Sequence, residues 1–273
     1  MKKIIYLSVV LSAFLITCSK EPWKHYEIPE DLRDKQERTD TTLIKVVSVG
    51  IFHNNAVLTE VAAIISDLDP DFVLVREVDH DNTRSGKGVM QGEIIATGAN
   101  MNHYFGGSQV YNTGLYGVSL LSKYPIIEES KVQYGGNRPV AVITAEFPDG
   151  KNFSFVGAQF EDRTGSDSYK TIRIEHAGLL LNYTKGIQNP AFLAAGFYID
   201  NSFTDPTLEV LAQQYETGCY NCEYTFPKED PVSIQDIILY KTSTRHDVIP
   251  VKYEILDSPT RGMLVYAEFK VAQ

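Results

Sequence analysis

Two acidic residues follow a short apolar run, and their spacing makes them the first candidates for chemistry. Residues 72–75 (Phe-Val-Leu-Val) are too few for a core helix and predict a buried parallel strand. Glu77 and Asp79 come next, and they face the same side if the chain stays extended. Because α/β proteins place ligand and metal sites at the carboxyl ends of buried strands, we expect a site at Glu77. A strand that ends in solvated acids is the alternative.

A second motif gives these acids a family context. Residues 77–79 are Glu-Val-Asp, and residues 116–126 are Tyr-Gly-Val-Ser-Leu-Leu-Ser-Lys-Tyr-Pro-Ile. They resemble the Gln-Glu-Val-Asp and Tyr-Gly-x-x-x-Leu-Ser-x-Tyr-Pro-Ile motifs of the endonuclease/exonuclease/phosphatase family of metal-dependent phosphodiesterases. The resemblance extends over about residues 43–269. It implies an α/β fold, namely a four-layer α/β sandwich.

The family's reaction needs carboxylates that hold a divalent cation, an Asp/Asn pair that orients water, and a histidine paired with an acid. By resemblance, Glu77 is a retained metal-binding acid, and Asp236 is the acid that would orient the histidine. Both are therefore candidate catalytic residues. The positions where the chain departs from the family pattern are Gly50, Gln159, Gly196, Tyr198, Arg261 and Gly262.

These departures fall where the chemistry is most demanding. Gly196 stands where the family has its water-activating aspartate, and Gly262 stands where it has its histidine. Because removing one member of an acid–base unit costs several orders of magnitude in rate, we predict a non-hydrolytic binding protein that needs no cofactor and has an unknown ligand. One alternative is an active Mg²⁺- or Mn²⁺-dependent hydrolase with a site rearranged around Glu77, Asp79 and His53. Another is a structural envelope component with no ligand.

Arg261 suggests what replaces the metal. If residues 260–262 align with the family's Ser-Asp-His motif, Arg261 puts a permanent cation near the expected metal site. We therefore expect a guanidinium–carboxylate pair between Arg261 and Glu77. His53 and His80 follow the first two predicted strands, and both could also face this site.

The first 17 residues carry a targeting pattern rather than part of the fold. Lys2 and Lys3 precede an apolar stretch at residues 4–16 that is too short to span a bilayer. Leu-Ile-Thr-Cys at residues 15–18 resembles a bacterial lipoprotein signal, with Cys18 as the lipidated residue. We expect a polar tether at residues 18–41, a folded domain at residues 42–273, and a lipid anchor in the bacterial envelope, at the outer membrane. An ordinary signal peptide is the alternative.

Charge and cysteine content limit the partners. The chain of 273 residues has a formal charge of −10 and no basic run, so we do not expect a nucleic-acid partner. Cys219 and Cys222 have no second cysteine pair nearby, which argues against zinc. In an oxidising envelope a local disulfide is favoured over a redox dithiol.

Hydrophobic periodicity predicts the elements that position these residues. Predicted strands occupy residues 43–49, 72–75, 117–121, 140–147, 153–159, 191–195, 237–240 and 263–269. Predicted helices occupy residues 57–68, 88–97 and 173–183. Strands and helices alternate without a repeat period, which indicates one α/β domain.

Overall fold

The computed structural model describes residues 41–272 except 108, 135–137, 162, 164, 165, 201–204, 220, 221, 243 and 245. The predicted signal peptide, Cys18 and all but the last residue of the predicted tether lie outside these residues.

The described residues form thirteen strands and four α-helices. The strands are β1 (Thr41–Gly50), β2 (Phe72–His80), β3 (Asn102–Phe105), β4 (Gln109–Tyr111), β5 (Gly114–Ser122), β6 (Ile126–Tyr134), β7 (Arg138–Glu146), β8 (Asn152–Gln159), β9 (Ala191–Asp200), β10 (Tyr215–Thr217), β11 (Ser233–Lys241), β12 (Asp247–Leu256) and β13 (Leu264–Ala272). The helices are α1 (Leu58–Leu68), α2 (Gln91–Gly98), α3 (Asp167–Thr184) and α4 (Pro206–Leu211), and a 3-10 turn (Asn55–Val57) precedes α1. Within the described part of the chain, no helix is long and apolar enough to cross a membrane.

The strands form two mixed sheets. The first sheet has seven strands in the order β12-β13-β1-β2-β5-β3, with β4 also paired to β5. The second has six strands in the order β10-β11-β9-β8-β7-β6. Each sheet contains one parallel pair, β1 with β2 and β8 with β9, and a helical segment connects the members of each pair. The carboxyl ends of β1 and β2 therefore lie at one edge of the first sheet, as those of β8 and β9 do in the second.

Three apolar clusters hold the layers together. One fills the space between the two sheets and includes Phe72, Leu74 and Phe155. A second packs α1 and α2 on the outer face of the first sheet, and a third packs α3 and α4 on the second sheet. The layer order is helix, sheet, sheet, helix, which confirms the expected four-layer α/β sandwich.

Strand β2 shows why the local sequence folds in this way. Phe72 and Leu74 point between the sheets, whereas Val73 and Val75 point towards the helices. Since both faces are covered, the strand is a continuous apolar run, as the sequence predicted. It pairs in parallel with β1 but antiparallel with β5, and it continues to His80. Glu77 and Asp79 therefore lie within the strand rather than beyond its end, which corrects the expected boundary.

Every strand and helix predicted from periodicity overlaps an observed one. Asn54 begins the turn before α1, and its side chain accepts a hydrogen bond from the Ala56 amide at 3.0 Å. Cys219 and Cys222 are joined by a disulfide, the alternative that the sequence favoured. Hydrophobic periodicity did not predict β3, β4, β6, β10, β12 and α4.

A buried lysine closes the carboxyl end of α3. Lys241 on β11 is 1% exposed, and its ammonium donates to the carbonyl oxygens of Thr184 at 2.7 Å and Ile187 at 3.0 Å. Carbonyls in the last turn of a helix have no partner within the helix. Burial lowers the pKa of Lys241, and the hydrogen bonds to these carbonyl oxygens replace those that the ammonium would make to water.

Replacement of this lysine should weaken the fold. We expect Lys241→Met to lower the free energy of unfolding by about 1–3 kcal/mol, because it leaves buried carbonyls without donors. Urea unfolding followed by circular dichroism measures the change. Lys87→Met, at an exposed position, is the matched control and should leave stability nearly unchanged. Equal effects of the two changes would contradict the role given to Lys241.

Candidate functional site

Five strands deliver side chains to one end of the gap between the sheets. On β1 the alternation that points Val46 into the core also points Ser48 and Gly50 there, and on β2 it points Arg76 there. The register places Gly50 opposite Arg76 in the first sheet. In the second sheet, Gly196 on β9 lies opposite both Gln159 on β8 and Asp236 on β11. Residues distant in sequence therefore meet at the end of the two sheets towards which the parallel strands run.

Arg76 occupies the centre of this site. Its side chain is fully buried and forms a bidentate ion pair with Asp236, with Nε–Oδ1 at 2.7 Å and Nη2–Oδ2 at 2.5 Å. Nη1 donates to Gln159 Oε1 at 3.1 Å and to Glu77 Oε1 at 3.3 Å. Ser48 Oγ donates to Asp236 Oδ1 at 2.6 Å. Burial alone would lower the pKa of Arg76, but the ion pair with Asp236, assisted by Glu77, raises it above its usual range.

Two glycines make room for this guanidinium. A Cβ atom added at Gly50 would lie 2.7 Å from Arg76 Nη2. One added at Gly196 would lie 2.6 Å from Arg76 Cδ and 2.7 Å from Gln159 Oε1. No real Cβ approaches its neighbours so closely, so any larger residue at either position would displace Arg76. Arg76 can occupy this position because Gly50 and Gly196 have no side chains.

A β-bulge at Glu77 separates the two acids of the first motif. The register between β2 and β5 shifts between Arg76 and Val78, and Glu77 has a left-handed φ of 57°. The two acids form ion pairs with different arginines. Glu77 pairs with Arg76, whereas Asp79 forms a bidentate pair with Arg84 at 3.0 and 2.5 Å. The bulge therefore removes the regular extended geometry in which both acids would face the same side of the strand.

The guanidinium expected from Arg261 is supplied instead by Arg76. Arg261 is exposed, and its guanidinium carbon lies 5.3 Å from the ring centre of Phe52. The expected pair between Arg261 and Glu77 is thus replaced by the pair between Arg76 and Glu77, which are adjacent in sequence. The sequence contained an indication of this pair. Arg76 stands where the family motif has glutamine, and it directly follows the apolar run of the predicted buried strand.

Three aromatic side chains form a cluster near the site. Phe226 lies 5.8 Å from Phe52 and 6.1 Å from Tyr198, measured between ring centres. His53 follows Phe52, and both have left-handed φ values, near 50°. Burial lowers the pKa of His53, and the charge of Arg84 lowers it further. His80, the other histidine considered, stacks on Phe105 with ring centres 4.6 Å apart.

The resemblance implies a divalent cation, and the residues at this position do not fit one. Within the ranges that the structure describes, no three His, Cys, Asp or Glu side chains are grouped so that they could hold a metal ion. The permanent positive charge of Arg76 lies next to the carboxylates of Glu77 and Asp236 and pairs with both. Gly50 and Gly196 offer no side-chain oxygen. The retained acids are thus engaged by a guanidinium of the chain itself.

Comparison with known proteins agrees with this fold. The model of the Endonuclease/Exonuclease/phosphatase family matches residues 51–229. This match covers more than half of the sequence, and the chain therefore belongs to that family. No protein of curated function matches the sequence.

Solved structures of the same family superpose on most of the chain. An endonuclease/exonuclease/phosphatase family protein from Bacteroides thetaiotaomicron matches with a TM-score of 0.65 and 15% identity, covering 84% of this chain and 95% of its own. A family protein from Leptotrichia buccalis matches with a TM-score of 0.65 and 12% identity, over 83% and 99%. The mannosyl-6-phosphatase of B. thetaiotaomicron VPI-5482 matches with a TM-score of 0.63 and 15% identity, over 83% and 99%. At these identities the likeness concerns the fold alone.

Removal of the Arg76 guanidinium should be costly. We expect Arg76→Met to lower the free energy of unfolding by about 3–5 kcal/mol at neutral pH, because Asp236 is left as a buried charge without a cation. Urea unfolding followed by circular dichroism measures the change.

A double variant provides the control for that experiment. Arg76→Met combined with Asp236→Leu removes both charges, so it should recover more than half of the lost stability. A single-variant loss of no more than about 1 kcal/mol, typical of an exposed pair, would contradict the buried ion pair.

Proposed function

We propose that this chain is a non-hydrolytic member of its family that binds a ligand at the bacterial cell envelope, held there by lipid on Cys18. One observation carries the proposal: the guanidinium of Arg76 pairs with Asp236 and Glu77, the two acids that the family motifs retain. The lipid anchor and the loss of hydrolysis are supported by different observations and are tested separately.

The electrostatics of the site support a loss of metal binding. The charge on Arg76 repels an incoming dication, and metal binding at Glu77 would first have to break its ion pair with Arg76. Asp236 is also engaged, since both of its oxygens accept hydrogen bonds from Arg76. With two hydrogen bonds from Arg76 and a third from Ser48, most of the acceptor sites with which Asp236 could orient a histidine are taken.

The positions that should activate water and stabilise phosphate support the same conclusion. Gly196 has no carboxylate to activate water, and Gly262 has no imidazole. The alternative hydrolase would use Glu77, Asp79 and His53 together. In the structure the two acids are engaged by different arginines, Arg76 and Arg84, which argues against a shared metal site.

Activity measurements test the proposal. We expect the purified protein to show no turnover above background with phosphodiesters and phosphomonoesters in the presence of Mg²⁺ or Mn²⁺. An active family member assayed on the same substrates is the positive control. A metal-dependent rate in the wild type that disappears in Glu77→Ala would contradict the proposal and favour the hydrolase.

The anchor has its own test. Because residues 15–18 fit a lipidation site, Cys18→Ala should abolish fatty-acid labelling and release or misprocess the protein. Metabolic labelling with a radioactive fatty acid followed by membrane fractionation measures both effects. Cys219→Ala is the matched control and should keep the label. Unchanged labelling of the Cys18→Ala variant would contradict the lipoprotein assignment.

A further inference from the structure

A cavity of about 690 Å³ opens on the second sheet, away from Arg76. Strands β6, β7 and β8 form its floor, and its wall consists of the last turn of α3 and the segment that leads to β9. Val142, on the floor, packs with the apolar cluster between this sheet and its helices. The cavity therefore lies on the outer face of the second sheet, whereas Arg76 lies between the two sheets.

Three polar side chains cross the floor of the cavity in one row. The register places Glu128 of β6 opposite Thr144 of β7, and Thr144 opposite Ser154 of β8. Because directly opposite residues of antiparallel strands point to the same face, one carboxylate and two hydroxyl groups lie side by side. Asn189, from the segment before β9, continues the row, and its Nδ2 donates to Ser154 Oγ at 3.3 Å.

The two hydroxyl groups in this row have one proton more than their contacts use. Thr144 is 6% exposed and Ser154 is 1% exposed, and their oxygens lie 3.2 Å apart. That hydrogen bond uses the proton of one hydroxyl group, whichever of the two donates. Asn189 is a donor to Ser154 and does not take the second proton. Within the described part of the chain, one hydroxyl proton on the cavity floor therefore has no acceptor, and an acceptor on a ligand would satisfy it.

The charge on the lining is negative. Glu128 and Glu129 line the cavity, and no lysine, arginine or histidine among the described residues does. In that part of the chain neither glutamate forms an ion pair. Lys185, which follows α3, donates to Asn182 Oδ1 at 2.8 Å. Water solvates the exposed glutamates while the cavity is empty, but their charge attracts a cation into it and repels an anion.

Apolar groups complete the lining. Val142 on the floor is half-buried, as are Tyr183 and Ile187 on the wall. Ligand sites typically combine apolar and aromatic walls with a few polar groups that fix orientation. The lining therefore suits a small molecule that carries a cation, a hydrogen-bond acceptor and apolar carbon atoms.

We propose that this cavity binds an amino alcohol, with a primary ammonium group and a hydroxyl group on adjacent carbons, the chemistry shared by an amino sugar and an ethanolamine headgroup. The ammonium group donates to the carboxylate of Glu128, and the ligand hydroxyl accepts the open proton of the Thr144–Ser154 pair. The two ligand groups are close together because Glu128 and Thr144 are cross-strand neighbours. The cavity is separate from Arg76, so the inference goes beyond the proposed function and does not depend on it.

Matched probes test the ligand class by ligand-observed NMR with the intact protein. Glucosamine and ethanolamine carry both groups, glucose lacks the ammonium group, and cyclohexylamine lacks the hydroxyl groups. We expect glucosamine or ethanolamine to bind at least about tenfold more tightly than glucose and cyclohexylamine. The tighter of the two amino alcohols shows whether the ligand is an amino sugar or a headgroup amine. Binding of neither, or equal binding of glucose or cyclohexylamine, overturns the inference.

Substitutions then assign the binding to the cavity. For the amino alcohol that binds more tightly, Glu128→Gln should weaken the affinity about tenfold or more, because it removes the charge and keeps the size of the side chain. Thr144→Val should weaken it as well, by loss of a hydroxyl group. Glu60→Gln is the same change at an exposed position on α1, over the other sheet, and should leave the affinity unchanged. Equal affinities in wild type and Glu128→Gln overturn the inference.

The melting temperature separates a ligand-binding role of Glu128 from a structural one. Glu128 is exposed, so unliganded Glu128→Gln should melt within about 2 °C of wild type. A larger fall would show that the glutamate serves the fold and would overturn the inference. Absence of amine binding overturns this inference alone, because the proposed function rests on Arg76. Metal-dependent turnover contradicts the proposed function and leaves the inference about the cavity standing.

Discussion

The buried ion pair between Arg76 and Asp236 is the contact on which the rest of the site depends. A guanidinium removed from water is costly unless its charge and its N–H groups are satisfied. Here Asp236 takes two of its hydrogen bonds, and Gln159 and Glu77 take others. The pair also needs space, which a side chain at Gly50 or Gly196 would fill. The departures from the family pattern at these positions are therefore connected: once an arginine lies here, the neighbouring residues must be small or must accept hydrogen bonds.

Much of the fold could be predicted from the sequence because its central strands are buried on both faces. Strands such as β2 and β9 are continuous apolar runs, and a short buried run has few alternatives. The missed strands lie mostly at sheet edges, where this signal is absent. Side chains on β6 are mostly exposed, and β12 carries Pro250, which an edge strand tolerates and a central strand does not. Edge strands form because a neighbour offers hydrogen bonds, and that information lies elsewhere in the chain.

The site could be predicted in part. Four positions singled out by the family motifs, Glu77, Gln159, Gly196 and Asp236, lie around Arg76 in the structure. The sequence did not indicate which arginine would pair with Glu77. Proximity to a motif favoured Arg261, but a side chain's direction depends on strand alternation, and that points Arg76 between the sheets. Nor could alternation reveal the bulge at Glu77, since one extra residue reverses the direction of every later side chain on the strand.

The central claim is that a guanidinium of the chain takes the place of a metal ion. The most direct test is to grow crystals of the protein in millimolar Mn²⁺ and to measure the anomalous diffraction of the bound manganese. We expect Arg76 to remain paired with Asp236 and no anomalous peak to lie within coordination distance of the Glu77 carboxylate, about 2.0–2.3 Å. A peak at that distance, with the Arg76 side chain turned away from Asp236, would contradict it.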